Sequence, residues 1–167
     1  MKGPGESARR KIGLGIRFAV LLGGIYFLFT FEPVYERVVS PFTEFTAWLA
    51  AASGKLLRMS VDVSGVALMG PNSSVNVGQG CDAIDVVSII LAAGLATPAA
   101  FTRKISFVVV GIAMVLAMNI ARLLTLLYTA SLSHTFMDIL HVYVWPVILL
   151  FACLGLWYYW FEARATA

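Results

Sequence analysis

The sequence predicts an all-α integral membrane protein, a bundle of about four transmembrane helices with an interfacial helix and a small β-hairpin between the first and second. Two compositional observations predict this class: 60% of the 167 residues are apolar and only 13% are charged. A soluble domain is typically about half apolar and about a quarter charged. A soluble, disordered or nucleic-acid-binding protein is therefore excluded. Two cysteines are also too few for a disulfide framework.

The third observation is the number of long apolar segments. A helix needs about 17–25 mostly apolar residues to span a bilayer. Four segments qualify, residues 12–31, 83–100, 105–128 and 139–161. The first follows a basic cluster, as a signal peptide would, but it lacks a small-residue cleavage site and has full spanning length, so we interpret it as a retained anchor. Residues 1–167 are then a single membrane-embedded domain.

The distribution of charge predicts the orientation of the chain. Basic residues are enriched in the cytoplasmic loops of membrane proteins. With the N-terminus inside, the cytoplasmic side carries Lys2, Arg9, Arg10, Lys11, Arg103, Lys104 and Arg164. The basic residues on the other side lie among acidic ones. We therefore expect both termini in the cytoplasm, a location in the cytoplasmic (inner) membrane, and residues 32–80 on its outer face.

The first half of the outer segment predicts a helix. Residues 33–58 have helical character, with an interruption at Pro41. Large apolar residues recur there at helical spacing, which predicts a helix lying on the membrane. These residues are Phe42, Phe45, Trp48 and Leu49. The alternative is a fifth crossing over residues 42–59.

The second half of the outer segment predicts a small β-hairpin. Residues 61–69 and 74–77 each alternate between apolar and polar side chains, and a Gly-Pro-Asn turn lies between them. The hairpin leads directly to Gly80 and Cys81.

Polar residues at membrane depth are informative because they are costly there. Spacing places the candidates on shared helix faces: Cys81, Asp85 and Ser88 on the second crossing, Asn119 and Arg122 on the third, and Asp138, His141 and Trp145 on the fourth. In the predicted topology the cysteine, the arginine and the histidine all lie towards the outer face, although they are far apart in sequence.

These three residue types can perform acyl transfer together. We expect a lowered pKa for the Cys81 thiol, because a helix N-terminus and neighbouring cations favour the thiolate. His141 would act as a base and then as an acid to the leaving amine. Arg122 would hold the substrate backbone or the developing oxyanion. Asp138 or Asp85 could orient the imidazole or pair with the arginine.

Each candidate also has a purely structural interpretation. Cys81 could be a small packed residue, Arg122 could pair with Asp85 or reach the interface, and His141 could be an interfacial histidine. Cys153 falls near the middle of the fourth crossing, where packing explains it.

The remaining histidine and a proline on the last crossing have simpler interpretations. His134 is expected in a solvated loop over residues 131–135. Pro146 is expected to kink the last helix and to free the carbonyl of Val142.

Other classes of function stay open. A transport or proton-relay protein would use Arg122, Asp85, Asp138 and His141, but it would need charges near the bilayer midplane. A non-catalytic scaffold subunit would need none of them. Haem and zinc sites are disfavoured because too few ligands have suitable spacing, and no Gly-x-Ser-Gly of a rhomboid-type serine protease is present. We therefore expect no metal and no cofactor.

Three short motifs, taken in order, resemble those of the exosortase/archaeosortase family. They are Gly80-Cys81 at the start of one crossing, Asn119-Ile120-Ala121-Arg122 late in the next, and His141-Val142-Tyr143-Val144-Trp145 at the start of the last. The short chain and the Ala-Thr-Pro at positions 96–98 are most similar to the compact exosortase H type. The resemblance covers residues 61–160.

The resemblance implies a membrane cysteine transpeptidase or protease. Such enzymes recognise a C-terminal signal on secreted proteins, made of a short motif, a transmembrane helix and a basic cluster. They cleave near the motif on the outer face and transfer the new C-terminus to an acceptor. The implied partners are thus secreted substrates, the lipid bilayer and an unidentified acceptor, with no nucleic acid.

The family's roles carry over to the matching positions of this chain. Cys81 would be the nucleophile, Arg122 the substrate or transition-state stabiliser, and His141 the proton-transfer residue. The supporting residues would be Asn119, Asp138, Asp85 and Asp82.

The sequence departs from the family's pattern at one point. Family members commonly have Cys-x-Gly where this chain has Cys81-Asp82-Ala83. A glycine there would relax the turn near the nucleophile, and an unpaired Asp82 would raise the pKa of the thiol.

Overall fold

The fold is built around three helices that are long and apolar enough to cross a membrane. The computed structural model describes residues 4–78 and 80–162. Within them the three candidate spans are Lys11–Thr30, Phe101–Ala130 and His134–Glu162. The helices are α1 (Pro4–Thr30), α2 (Glu32–Val34), α3 (Ser40–Leu56), α4 (Ile84–Ala96), α5 (Phe101–Ala130), α6 (His134–Ile139) and α7 (Trp145–Trp157). π-helical turns at Tyr35–Val39, Leu140–Val144 and Tyr158–Glu162 connect or extend them.

The predicted second crossing is shorter than its apolar composition suggested. We expected residues 83–100, whereas α4 is Ile84–Ala96, or about 20 Å of helix. Pro98 explains the early end, since a proline disfavours helical geometry in the residue before it. A bilayer core is about 30 Å thick, so α4 alone is not a full span. The prediction of four crossings is thus supported by three long helices, and the fourth stays a prediction.

The end of α4 is nevertheless fixed beside the end of α7. Trp157 Nε1 donates to Thr97 Oγ1 at 3.0 Å, and Lys104 Nζ donates to the carbonyl of Leu95. Closer to the middle, Gly111 of α5 lets Ile90 of α4 approach, because a Cβ there would lie 2.7 Å from the Ile90 side chain. Small residues thus allow α4 to pack tightly between its neighbours.

The outer segment begins with one helical stretch over residues 32–56. The predicted interruption at Pro41 is a π-helical turn, in which the Ser40 N–H donates to Tyr35 O, five residues back. One face of α3 carries small buried residues that pack against α5. Phe45 and Trp48 on the other face are exposed and stack on each other. α3 is not among the described helices that are long and apolar enough to span a membrane. The alternative of a fifth crossing is therefore unsupported.

The predicted hairpin is a three-stranded antiparallel sheet. Its strands are β1 (Asp62–Ser64), β2 (Ala67–Met69) and β3 (Ser74–Asn76), in the order β1-β2-β3. The expectation of one strand over residues 61–69 is wrong, because the chain reverses at Gly65. This glycine has φ +57°, which costs a residue without a side chain little.

Two apolar clusters hold the molecule together. The sheet cluster joins the sheet to α3 and α5, and its largest fully buried members include Leu68, Leu123 and Leu126. The bundle cluster lies among α4, α5 and α7, where the rings of Phe107 and Phe161 pack with centroids 4.9 Å apart. Cys81 belongs to the first cluster and Cys153 to the second.

The last helical stretch does not break at Pro146. A π-helical turn at Leu140–Val144 precedes the proline, and the N–H of Trp145 donates to the carbonyl of Leu140, five residues back. The helix is thus locally widened just before the proline. The kink and the freed carbonyl of Val142 stay predictions.

Candidate active site

Cys81 lies in a tight turn between β3 and α4. The carbonyl of Gly78 accepts hydrogen bonds from the N–H groups of Cys81 at 2.8 Å and of Asp82 at 3.1 Å. Gly80 has φ +85° and Ala83 has φ +65°, so left-handed backbone is found on both sides of the cysteine. The expected shared helix face of Cys81, Asp85 and Ser88 is therefore wrong, because α4 begins only at Ile84.

The thiol of Cys81 faces the imidazole of His141. Sγ lies 3.3 Å from Nδ1 and 3.8 Å from Nε2. The cysteine is buried, whereas the histidine is partly exposed. His141 reaches this position from the π-helical turn that opens the last helical stretch. A thiol within hydrogen-bond distance of an imidazole is the arrangement in which the imidazole can remove the thiol's proton.

Arg122 contacts the same ring nitrogen from the other side. One terminal nitrogen of its guanidinium lies 3.2 Å from His141 Nδ1 and donates to the His141 carbonyl at 3.5 Å. Because a guanidinium carries only donors, the first contact requires a lone pair on Nδ1, and the proton of a neutral imidazole is then on Nε2. Arg122 is 4% exposed, and among the described residues it forms no ion pair with Asp85.

Asn119 fixes the turn that carries the cysteine. Its side-chain amide donates to the carbonyl of Cys81 at 2.9 Å, and the side chain is fully buried. One turn along α5, the Nε of Arg122 is buried without a hydrogen-bond partner among the described residues, as is the Oδ1 of Asn119. One face of α5 thus holds the Cys81 backbone and places a cation beside His141.

The electrostatics of the turn differ from our expectation. Burial raises the pKa of the Cys81 thiol above its ordinary value; the Arg122 charge lowers it, and Asp82 raises it further. The prediction of a lowered pKa is wrong because burial outweighs the cation, and because Cys81 precedes the helix instead of starting it. The predicted effect of Asp82 on the thiol has the expected sign.

Asp82 itself stabilises the start of α4. Its Oδ1 accepts from the N–H of Ile84 at 3.2 Å. Burial raises the pKa of this carboxyl, and the hydrogen bond from Ile84 lowers it. Asp82 is therefore held in the turn by the backbone, and among the described residues it has no ion pair.

The other two predicted supporting acids act on the site only through their charge, Asp138 on His141 and Asp85 on Asp82. Asp85 and Asp138 are exposed, and neither forms a hydrogen bond or ion pair with His141 or Arg122 within residues 4–78 and 80–162. The contact to His141 Nδ1 that the structure shows comes from Arg122, and a role for either acid in orienting the imidazole stays a prediction. A proton-relay chain through these acids is likewise unconnected in the described part of the chain.

Three further expectations concern residues outside the cluster. His134 is exposed as predicted, but it begins α6 instead of lying in a loop, because Ser133 Oγ accepts from the Phe136 N–H at its start. Cys153 is buried in the bundle cluster, as expected for a packing residue. Among the described residues, no group of three or more His, Cys, Asp or Glu side chains could hold a metal ion.

Sequence reasoning missed the part that Gly78 takes in the site, whereas it singled out position 83 as a strained point of the turn. The carbonyl of Gly78 anchors the cysteine turn, and Ala83 adopts a left-handed conformation that a glycine would adopt without strain. The Gly-x-Gly-Cys sequence was the available signal for a tight turn, since glycine is favoured where backbone must be left-handed.

The fold and this cluster define a helical membrane protein with a cysteine, a histidine and an arginine joined at one end of its long helices. A family model described as transmembrane exosortase (Exosortase_EpsH) matches residues 10–160. The chain therefore belongs to the transmembrane exosortase family, which confirms the resemblance drawn from its motifs. Membership implies a role in processing sorting signals, and the family acts on secreted proteins with C-terminal signals. Searches of curated proteins and of solved structures found no match.

Proposed function

We propose that this protein is a membrane cysteine transpeptidase or protease that cleaves the C-terminal sorting signal of secreted proteins on the outer face of the cytoplasmic membrane. The observation that carries the proposal is the shared nitrogen: His141 Nδ1 lies 3.3 Å from the Cys81 sulfur and 3.2 Å from the Arg122 guanidinium. A packing cysteine has no need of both a base and a cation at hydrogen-bond distance.

The first chemical step follows from this geometry. The Cys81 sulfur attacks the carbonyl carbon of the scissile peptide bond while its proton passes to His141 Nδ1. The raised pKa of the thiol means that this proton is present in the resting enzyme, so the sulfur depends on the base for its activation. The carbonyl oxygen becomes an oxyanion, which the Arg122 guanidinium stabilises.

Arg122 also explains how substrate could control the base. In the resting arrangement the guanidinium donates to Nδ1 and occupies the lone pair that the thiol needs. A developing oxyanion attracts the guanidinium more strongly than a neutral imidazole does. Movement of Arg122 towards the oxyanion would therefore free Nδ1 at the moment when the proton is transferred.

The remaining steps return the enzyme to its starting state. The imidazolium gives its proton to the leaving amine, the C–N bond breaks, and a thioester joins the substrate to Cys81. An acceptor, either an amine or water, then attacks the thioester carbonyl and loses a proton to His141. The thiolate leaves and is protonated again. An amine acceptor gives transfer, and water gives plain cleavage.

The test uses a reporter, defined as a secreted protein that ends in a short motif, an apolar helix and a basic cluster, co-expressed with the enzyme. Cys81→Ala is expected to abolish reporter processing while the variant still folds and inserts. Cys153→Ala is the matched control, since it removes the other buried thiol and leaves processing intact. Normal processing by the Cys81→Ala variant would rule out the proposal.

The orientation has a separate test. Cysteine substitutions at exposed Asn72 and Thr102 are labelled with a membrane-impermeant maleimide in intact cells. Labelling at position 72 alone is expected if the site faces outward. Labelling at position 102 alone would contradict the outward orientation.

A further inference from the structure

One edge of the small sheet leads directly into the turn that carries Cys81. β3 (Ser74–Asn76) is at the end of the sheet order, so one of its sides has no neighbouring strand. Two residues after the strand ends, the Gly78 carbonyl begins the turn by accepting from the Cys81 N–H. Whatever pairs with β3 is thereby brought close to the sulfur.

The hydrogen bonds of the sheet show which main-chain groups of β3 are free. Ser73 O accepts from Gly70 N at 2.7 Å, and Val77 N donates to Val66 O at 2.9 Å. Residues of an antiparallel strand alternate between bonded and non-bonded positions. The positions next to these, Ser74 and Asn76, therefore point their N–H groups away from β2, and within residues 4–78 and 80–162 those groups have no partner on another element.

The β3 edge is also accessible. Ser74 and Asn76 are exposed, whereas Val75 between them is buried in the sheet cluster. β3 is thus held to the protein by β2, by Val75 and by its packing against α5, while Ser74 and Asn76 keep exposed polar side chains. An open strand edge is a template for pairing with another extended chain, which proteins normally cover or interrupt.

The opposite edge of the sheet differs in where the chain leads from it. β1 lies against α3, and Lys55 of α3 pairs with Asp62 at 2.8 Å at its start. In the same alternation Val63 directs its N–H away from β2, but β1 does not lead into the turn of the nucleophile. A proline in β1 therefore serves as a control, because it removes an outward N–H from an edge that does not lead to Cys81.

We infer that the β3 edge binds the segment of the substrate next to the scissile bond as an additional, extended strand. This inference rests on the proposed function and names how the same site holds its substrate. Main-chain pairing supplies affinity without reading side chains, and alternate side chains of the bound strand then face the protein and the exterior. The substrate class is thus an unfolded, extended peptide segment, which a short motif ahead of a transmembrane helix would provide.

The first test removes the outward N–H groups. Ser74→Pro and Asn76→Pro each delete one donor at a position where an edge strand tolerates proline. Each is expected to raise the KM for the reporter by about three- to tenfold, the loss of one hydrogen bond, with little change in kcat. Val63→Pro removes an outward N–H on the other edge and is expected to leave KM unchanged.

The contrary results are equally definite. An unchanged KM in both folded proline variants, or an equal rise in Val63→Pro, would overturn the inference while processing by the wild-type enzyme kept the proposed function intact. Processing by Cys81→Ala would instead refute the proposed function itself. Thermal unfolding in detergent shows whether each proline variant is folded.

A second measurement does not depend on proline. In a Cys81→Ala background, Asn76→Cys is oxidised in the presence of reporters that carry single cysteines along the motif. Disulfides are expected at every second reporter position, because successive side chains of a strand point to opposite faces. Uniform or absent cross-linking, or an enzyme dimer linked through position 76, would mean that the edge does not bind substrate as a strand.

Discussion

The two cysteines of this chain lie in two regions that are buried to the same degree and differ in what surrounds the sulfur. Cys81 is 5% exposed and Cys153 is 4% exposed. The sulfur of Cys81 faces an imidazole and lies near a guanidinium, whereas Cys153 packs among apolar side chains of the bundle cluster without a described hydrogen bond. A thiol buried in apolar surroundings is inert, so the imidazole and the guanidinium are the difference on which the proposed role of Cys81 depends.

The largest effect on processing is expected when Cys81 loses the imidazole that is proposed to act as its base. His141→Gln keeps a polar side chain at the site but cannot carry the proton, so the processing rate is expected to fall by about 10²–10⁴-fold. Reporter processing measures it. His134→Gln is the matched control because it changes the exposed histidine of the same helical stretch, and an equal loss in both variants would contradict the assignment.

The next difference is the cation. Arg122→Lys keeps the charge and loses the planar, multiply donating guanidinium, so kcat is expected to fall by about 10²–10³-fold. KM should change less, since the contact strengthens as the oxyanion forms. Steady-state kinetics separates the two. Arg37→Lys, at an exposed arginine, should be neutral, and a wild-type kcat in Arg122→Lys would exclude a transition-state role.

A smaller effect tests the electrostatics of the thiol. The carboxylate of Asp82 raises the pKa of Cys81, so Asp82→Asn should lower that pKa and leave more thiolate at any pH below it. Alkylation by iodoacetamide should therefore be faster, while both proteins gain about tenfold in rate per pH unit below the pKa. The pH profile of alkylation measures the shift. Asp85→Asn should not move the profile, and a shift of Asp82→Asn to higher pH would contradict the sign.

The smallest effect concerns the backbone of the turn. Ala83 has φ +65°, a conformation that costs a residue with a side chain about 1–2 kcal/mol. Ala83→Gly is therefore expected to raise the free energy of unfolding by about 0.5–1 kcal/mol, part of the gain being lost to the greater freedom of glycine when unfolded. Ala92→Gly, inside α4, should do the opposite. Thermal unfolding in detergent measures both effects. A destabilised Ala83→Gly variant would show that the left-handed backbone at Ala83 is not strained.

The site could be foreseen from sequence to the extent that it depends on helix ends. Long apolar segments fix which residues lie at the same level, so Cys81, Arg122 and His141 could be placed together without knowing any contact. Asn119 followed from its spacing to Arg122, three residues along one helix. The spacing could not predict the hydrogen-bond partner of Asn119, because this side chain donates to the Cys81 carbonyl, which lies outside α5.

The errors have a common physical origin in backbone that leaves regular geometry. Cys81, Asp85 and Ser88 fit one helix face only if α4 begins at the cysteine, and left-handed residues delay its start. The single strand expected over residues 61–69 became two because Gly65 permits a reversal. The sign of the Cys81 pKa depended on burial, which is decided by the sheet that packs over the turn and not by nearby charges in sequence.

The π-helical turn at Leu140–Val144 has a consequence for how the site is aligned. An α-helix rotates by about 100° per residue, and a π-helical turn accommodates one residue more than an α-helical turn does. The direction of His141 relative to α7 is thus set by the count of residues in this turn as well as by its neighbours. A deletion of one residue between His141 and Pro146 would keep every functional group and the apolar surface of the helix, yet aim the imidazole about a quarter-turn away from the sulfur.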